Sequence, residues 1–341
     1  MIEVHPSFVF GPEMRIKNVD AVREGIVYIG TEANGQFSPN GTGFIVSHPL
    51  EESYRILFVI TAAHVVKEIA GDTIYVRLNR KSGGAESIPI HEKKILEWSA
   101  NDVAIFPLNI GADVYHYRAL NFDERQLKHA QALFEGISYG DDVYAVGLYT
   151  SHYGLTKNIP VVRSGHVALL PGEEPVRGPE GNYLDAYLVE LRTIAGLSGS
   201  PVFLNPPQMR SRDGKVEHLE GDHYLPIGVL IGYHVVESKQ DQVLVPQWQT
   251  SDPDADPPAS LSLDERNTGF GVVVPIEKVF EMIKNMEPAL KAALERHKSQ
   301  SRFRPASASG VAPPDSGENP THREDFNRLL DAAVQKPKQD P

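Results

Sequence analysis

The chain has 341 residues and no cysteine, which excludes disulfides, thiolate nucleophiles and cysteine-based metal sites. Its hydrophobic content of 41% is enough for a sizeable core, and a net charge of −12 argues against the basic stripe of a nucleic-acid binder. No apolar run approaches the roughly 20 residues that span a bilayer, and the start, "MIEVHPSFVFGPEMRIKNVD", lacks a basic segment followed by an apolar one. The expectation is a cytoplasmic protein with neither a membrane nor a nucleic-acid partner.

From about residue 24 to residue 274 the sequence consists of short apolar or alternating runs separated by Gly, Asn, Asp and Pro. "GIVYIG", "GTGFIVS", "YRILFVITAA", "TIYVRLN" and "NDVAIFPL" read as strands of a first unit. "DDVYAVGLY", "SGHVALL", "DAYLVEL", "SPVFL", "IGVLIGYHVV" and "GFGVVVP" read as strands of a second. Regular strand spacing without long intervening helices predicts an all-β fold of two six-stranded antiparallel barrels, about 20–125 and 138–275. The polar stretches 205–222 and 236–267 read as surface insertions.

The period then changes. Ile276, Val279, Phe280, Ile283 and Met286 follow helical spacing, so a C-terminal helix is expected over 276–298, with Pro288 able to kink or restart it. Residues 299–320 read as a flexible linker. In 321–341, Thr321 and Glu324 form a capping-box pattern, and Phe326, Leu329, Leu330, Ala333 and Val334 share one face. That segment reads either as a transient helix in a disordered tail or as a docking element for a partner protein or for the body of the chain itself.

"TIAGLSGSPVFLNP" places Ser198 between glycines, where it is either a nucleophile or an ordinary turn residue. A nucleophilic serine needs a base, a group that orients the base, and donors for the oxyanion. His64 closes the apolar strand in "YRILFVITAAHVV", and Asp102 opens another in "NDVAIFPL". Taken singly, each is more simply a half-buried histidine and a strand-start aspartate. Together they occur in the order His, Asp, Ser, with base and orienter in the first unit and Ser198 in the second. A cleft between two barrels needs that arrangement. The order differs from α/β-hydrolases and subtilisins, and Ser200 breaks the G-x-S-x-G elbow.

"TAAHVV", "NDVAIFPL" and "GLSGSPVF" resemble the three signatures of chymotrypsin-fold serine peptidases. "GTGFIVS" and "GFGVVVPIEKVFEMI" resemble flanking strands of the bacterial branch, which includes Deg-type and glutamyl-endopeptidase-like enzymes. The likeness covers roughly residues 20–285, the expected peptidase domain being 1–285, and no PDZ-like domain follows it. It implies a hydrolase acting on protein or peptide substrates, with no cofactor and no metal. In it His64 is the base, Asp102 its orienter and Ser198 the nucleophile, while the amides of Gly196 and Ser198 form the oxyanion hole. The alternatives are a catalytically silent scaffold on the same fold and, more remotely, a nonpeptide esterase.

Three positions bear on control and specificity. Animal digestive members of the family carry Asp before the serine, to pair with a new N-terminal ammonium; here the residue is Leu197, which argues against that mode of activation. Arg192 falls where the family places the floor of the S1 pocket, either favouring an acidic P1 side chain or pointing to solvent or pairing with Glu190 or Asp185. Leu230 falls on the expected pocket wall where glutamyl endopeptidases carry His, and Tyr233 sits where its ring could narrow the pocket. His152, His166 and His234 lack metal-ligand spacing.

Overall fold

A computed structural model describes residues 19–51, 54–122, 137–178, 181–205, 209–212, 215–218, 225–235 and 267–302. The linker beyond residue 302 and the segment 321–341 lie outside these, as does most of the insertion 236–267.

The N-terminal unit follows the short helix α1 (Val19–Arg23) with strands β1 (Ile26–Ala33), β2 (Gln36–Glu51) and β3 (Tyr54–Ala62). The one-and-a-half-turn helix α2 (Ala63–Lys67) precedes β4 (Thr73–Asn79), β5 (Ala85–His91), β6 (Leu96–Trp98), β7 (Val103–Leu108) and the short β8 (Leu120–Asn121). They form one sheet in the order β5-β4-β1-β2-β3-β7-β6, with β8 parallel to β2. β5 forms despite Pro89 because it lies at the sheet edge, where a missing amide donor costs little.

The second unit contains β9 (Asp142–Gly147), β10 (Val161–Leu169), the paired β11 (Val176–Arg177) and β12 (Tyr183–Leu184), and β13 (Tyr187–Glu190). It continues with β14 (Ser200–Asn205), the hairpin β15 (Met209–Arg212) and β16 (Lys215–His218), then β17 (Leu225–Val235) and β18 (Asn267–Pro275). Six of these close into a barrel, β10-β13-β18-β17-β14-β9. The described residues are thus mostly β, a closed six-stranded barrel beside a second sheet, with a C-terminal helix. The first unit has eight strands, including the short β6 and β8 that the apolar pattern alone does not reveal.

Two apolar clusters hold it together. One fills the second barrel with Val143, Val167, Val189, Val202, Ile227 and Val273. The other joins the first sheet to the outer face of that barrel through Phe44, Phe58, Phe106, Phe203, Ile231 and Val272. The interface between the units is therefore a core, and it fixes one unit's loops against the other's.

The helix α3 (Ile276–Arg302) continues through Pro288 and past the expected end at 298. Residues 299–302 carry no breaker, and the next proline is Pro305. Ile276, Val279, Phe280 and Ile283 are buried as their spacing requires. Phe280 meets the rings of His48 and Phe122, and His48 Nδ1 bonds Phe122 O at 2.8 Å, tying the helix to the first unit.

Glu277, in the first turn of α3, is half-buried, but its Oε2 is enclosed and has no hydrogen-bond partner. Desolvation raises its pKa above the ordinary value; a backbone hydrogen bond partly offsets this, and Glu281 adds to it. The folded chain therefore resists ionising this carboxyl more than the unfolded chain does. Its cost is absent below the unfolded pKa and grows as pH rises through the folded one. Glu277→Gln should raise the unfolding temperature relative to wild type more at about pH 8 than at about pH 4. Thermal melts giving the same difference at both pH values would show that the carboxyl is not strained.

Candidate active site

The β3–β7 pair builds half of the site. Apolar residues carry β3 inward to Ala62, which pairs with Val103 at the start of β7. His64, one residue into α2, and Asp102, one residue before β7, are thereby placed at the same end of two neighbouring strands. Ala63, Val65 and Val66 are buried and anchor the helix that carries His64.

Asp102 is 1% exposed and has a left-handed backbone, φ 51°. It follows a 3-10 turn (Ser99–Asn101) and reverses the chain into β7. Asp is one of the few non-glycine residues that tolerates this conformation. Its main-chain carbonyl accepts Ala63 N–H at 3.0 Å, and its Oδ1 accepts His64 N–H at 2.9 Å, so it satisfies the first amides of α2. Oδ2 lies 2.6 Å from His64 Nδ1. A buried carboxylate only accepts, so Nδ1 carries the proton and Nε2 keeps its lone pair. The His64 side chain is 18% exposed and thus partly open to solvent.

Ser198 comes from the other unit, in the turn between β13 and β14. Gly199 N donates to Leu230 O at 2.7 Å, and Ser198 O accepts Thr42 N–H from β2 at 2.9 Å. A Cβ at Gly199 would lie 2.0 Å from Thr42 O and 3.1 Å from Ala62 N, at a φ of +87°. Only glycine lets the chain leave Ser198 so close to the strand end that carries His64. The turn's own bonds are Leu197 N to Ile194 O, at 3.2 Å, and Ser200 N to Leu197 O, at 2.9 Å. Among the described residues the amides of Gly196 and Ser198 have no acceptor. Gly196 has φ +95°.

Leu197 is 1% exposed and packs in the core of the second barrel. This turn is held by apolar contact. The specificity candidates differ in exposure. Arg192 is exposed, with its carbonyl bonded by Arg163 at 2.9 Å. Leu230 is fully buried beside Gly271, while Tyr233, paired with Gly271, is half-buried. Sequence reasoning singled out neither Thr42 nor Leu148, both of which touch the Ser198 turn.

Residues 41–206 match the model of the trypsin-like peptidase domain. The matched segment includes His64, Asp102 and Ser198. Solved structures with a similar path include the MamO protease domain from Magnetospirillum magneticum in its apo form, 15% identical. That match covers 77% of this chain and 97% of that one, with a TM-score of 0.43. The Rv3671c protease from M. tuberculosis in its active form is 19% identical, with 76% and 80% covered and a TM-score of 0.39. In its inactive form it is 17% identical, with 78% and 91% covered and a TM-score of 0.40. No curated protein matches the chain. A trypsin-like peptidase domain acts on protein or peptide substrates. No described helix is long and apolar enough to cross a membrane.

Proposed function

We propose that the chain is a serine endopeptidase that cuts peptide bonds through an acyl-enzyme. The observation that carries this reading is the bond of 2.6 Å from His64 to the buried Asp102, with the Ser198 turn docked on the adjoining strand. His64 Nε2 takes the Ser198 hydroxyl proton as Oγ attacks the carbonyl carbon, and the carbonyl π electrons move to oxygen. The amides of Gly196 and Ser198 receive that oxyanion, such donors being worth about 3 kcal/mol each. The imidazolium then protonates the leaving amine, and the C–N bond breaks to leave an ester on Ser198. Water, deprotonated by His64, attacks the ester carbonyl; the acyl C–Oγ bond then breaks, the imidazolium returns the proton to Ser198 Oγ, and the carboxylic product leaves. Asp102 holds the tautomer and offsets the imidazolium charge. The runs "GTGFIVS" and "GFGVVVP" support a place in the bacterial branch. We place the peptidase domain within residues 1–285.

The reading is tested by incubating the protein with a peptide library and sequencing new termini by mass spectrometry. Cuts made by the wild type and absent with His64→Ala support it, whereas an uncut library overturns it. The same profile bears on Arg192. Its exposed guanidinium favours an acidic P1 residue only through a solvent-screened contact, so Arg192→Ala should weaken an acidic P1 preference by no more than about fivefold. A collapse of a hundredfold would place the guanidinium inside the pocket instead.

A further inference from the structure

Thr42 is fully buried in β2 of the first unit, yet its polar groups are committed to the Ser198 turn and its surroundings. Its hydroxyl bonds Gly196 O at 2.6 Å and Leu148 N at 2.8 Å. Leu148 N can only donate, so the single hydroxyl proton must go to Gly196 O. The Thr42 amide donates to Ser198 O at 2.9 Å, and its carbonyl accepts the Thr61 hydroxyl at 2.6 Å. Space around it is tight: a Cβ at Gly147 would lie 2.7 Å from the Thr42 hydroxyl.

These bonds fix three consecutive peptide planes. The 196–197 plane is held by Thr42 at its carbonyl and by Ile194 O at its amide. The 198–199 plane is held by Thr42 N at its carbonyl and by Leu230 O at its amide. Between them, the carbonyl of the 197–198 plane accepts from Ser200 N, and its amide, Ser198 N–H, has no acceptor. With both neighbours pinned, the direction of that amide is set.

We propose that Thr42 is a positioning residue: it grips the carbonyls on both sides of the Leu197–Ser198 peptide, and so aims the Ser198 amide at the developing oxyanion. This rests on the peptidase reading. A β-branched residue suits the task because its χ1 is stiff, which aims the hydroxyl without further packing. The residue acts through the turn and touches no reacting atom.

The test measures kcat and KM on a peptide substrate, with unfolding temperature, for wild type, Thr42→Ser, Thr42→Val and Thr61→Val. Thr42→Val keeps the shape and loses the hydroxyl; it should lower kcat by about 10- to 100-fold with KM within about threefold, as expected for a contact realised in the transition state. Thr42→Ser should recover kcat to within about fivefold of wild type. Thr61→Val loses a buried hydroxyl bonded to the same residue but not to the turn; it should lower stability without a comparable loss of kcat. Should Thr42→Val not fold, Thr42→Cys, with its weak donor, replaces it under the same expectations. A folded Thr42→Val with wild-type kcat overturns the proposal alone, as does an equal loss of kcat in Thr61→Val. A wild type with no Ser198-dependent turnover overturns the peptidase reading and this proposal with it.

Discussion

Ser198→Ala should lower turnover of a peptide substrate by roughly 10⁶-fold, to the residual rate that binding and the oxyanion donors sustain. The effect is large because the serine, its base and the orienter act as a unit, so losing the nucleophile removes the covalent route altogether. The main chain of Ser198 holds the turn through Thr42 and Gly199 through Leu230 O, and neither bond uses the hydroxyl. The unfolding temperature should therefore stay close to wild type. Progress curves against a matched wild-type preparation check both points. A variant retaining more than about 1% of wild-type turnover would mean that another group attacks the substrate.

Asp102→Asn should cost roughly 10⁴-fold in kcat at neutral pH. The carboxylate does two jobs, accepting His64 N–H with Oδ1 and His64 Nδ1–H with Oδ2. An amide has one acceptor. If its oxygen stays on the His64 main-chain amide, its NH₂ faces Nδ1. That forces the ring proton onto Nε2, where the base needs a lone pair. If it flips, two donors face each other at the N-terminus of α2. Asn tolerates the left-handed backbone of this position as Asp does, so the loss reports on the proton and not on strain. Kinetics of the folded variant decide it: a loss below about tenfold would show that His64 does not depend on Asp102 for its tautomer.

Much of this was legible in the sequence, and for identifiable reasons. β4 and the core face of α3 follow from hydrophobic period alone, since each buries one face. β5 and β6 do not. One carries a proline permitted by its edge position, and the other has three residues, too few for a period. The proximity of His64 and Asp102 is also not written in either segment. It comes from the register of β3 on β7, which the apolar runs suggest but do not number. Leu197 was legible as a missing charge, whereas its role as an apolar anchor depends on burial in the second barrel. Thr42 was hidden in a glycine-flanked strand, because a hydroxyl that bonds two backbone groups across an interface leaves no pattern in its own segment.

A fluorophosphonate probe on the intact, folded protein, with the adduct located by mass spectrometry, decides whether Ser198 is a nucleophile activated by His64. One adduct is expected, on Ser198, formed rapidly by wild type, absent in Ser198→Ala and slowed by orders of magnitude in His64→Ala. An unlabelled wild type, or labelling of Ser198 at the same rate without His64, would contradict it.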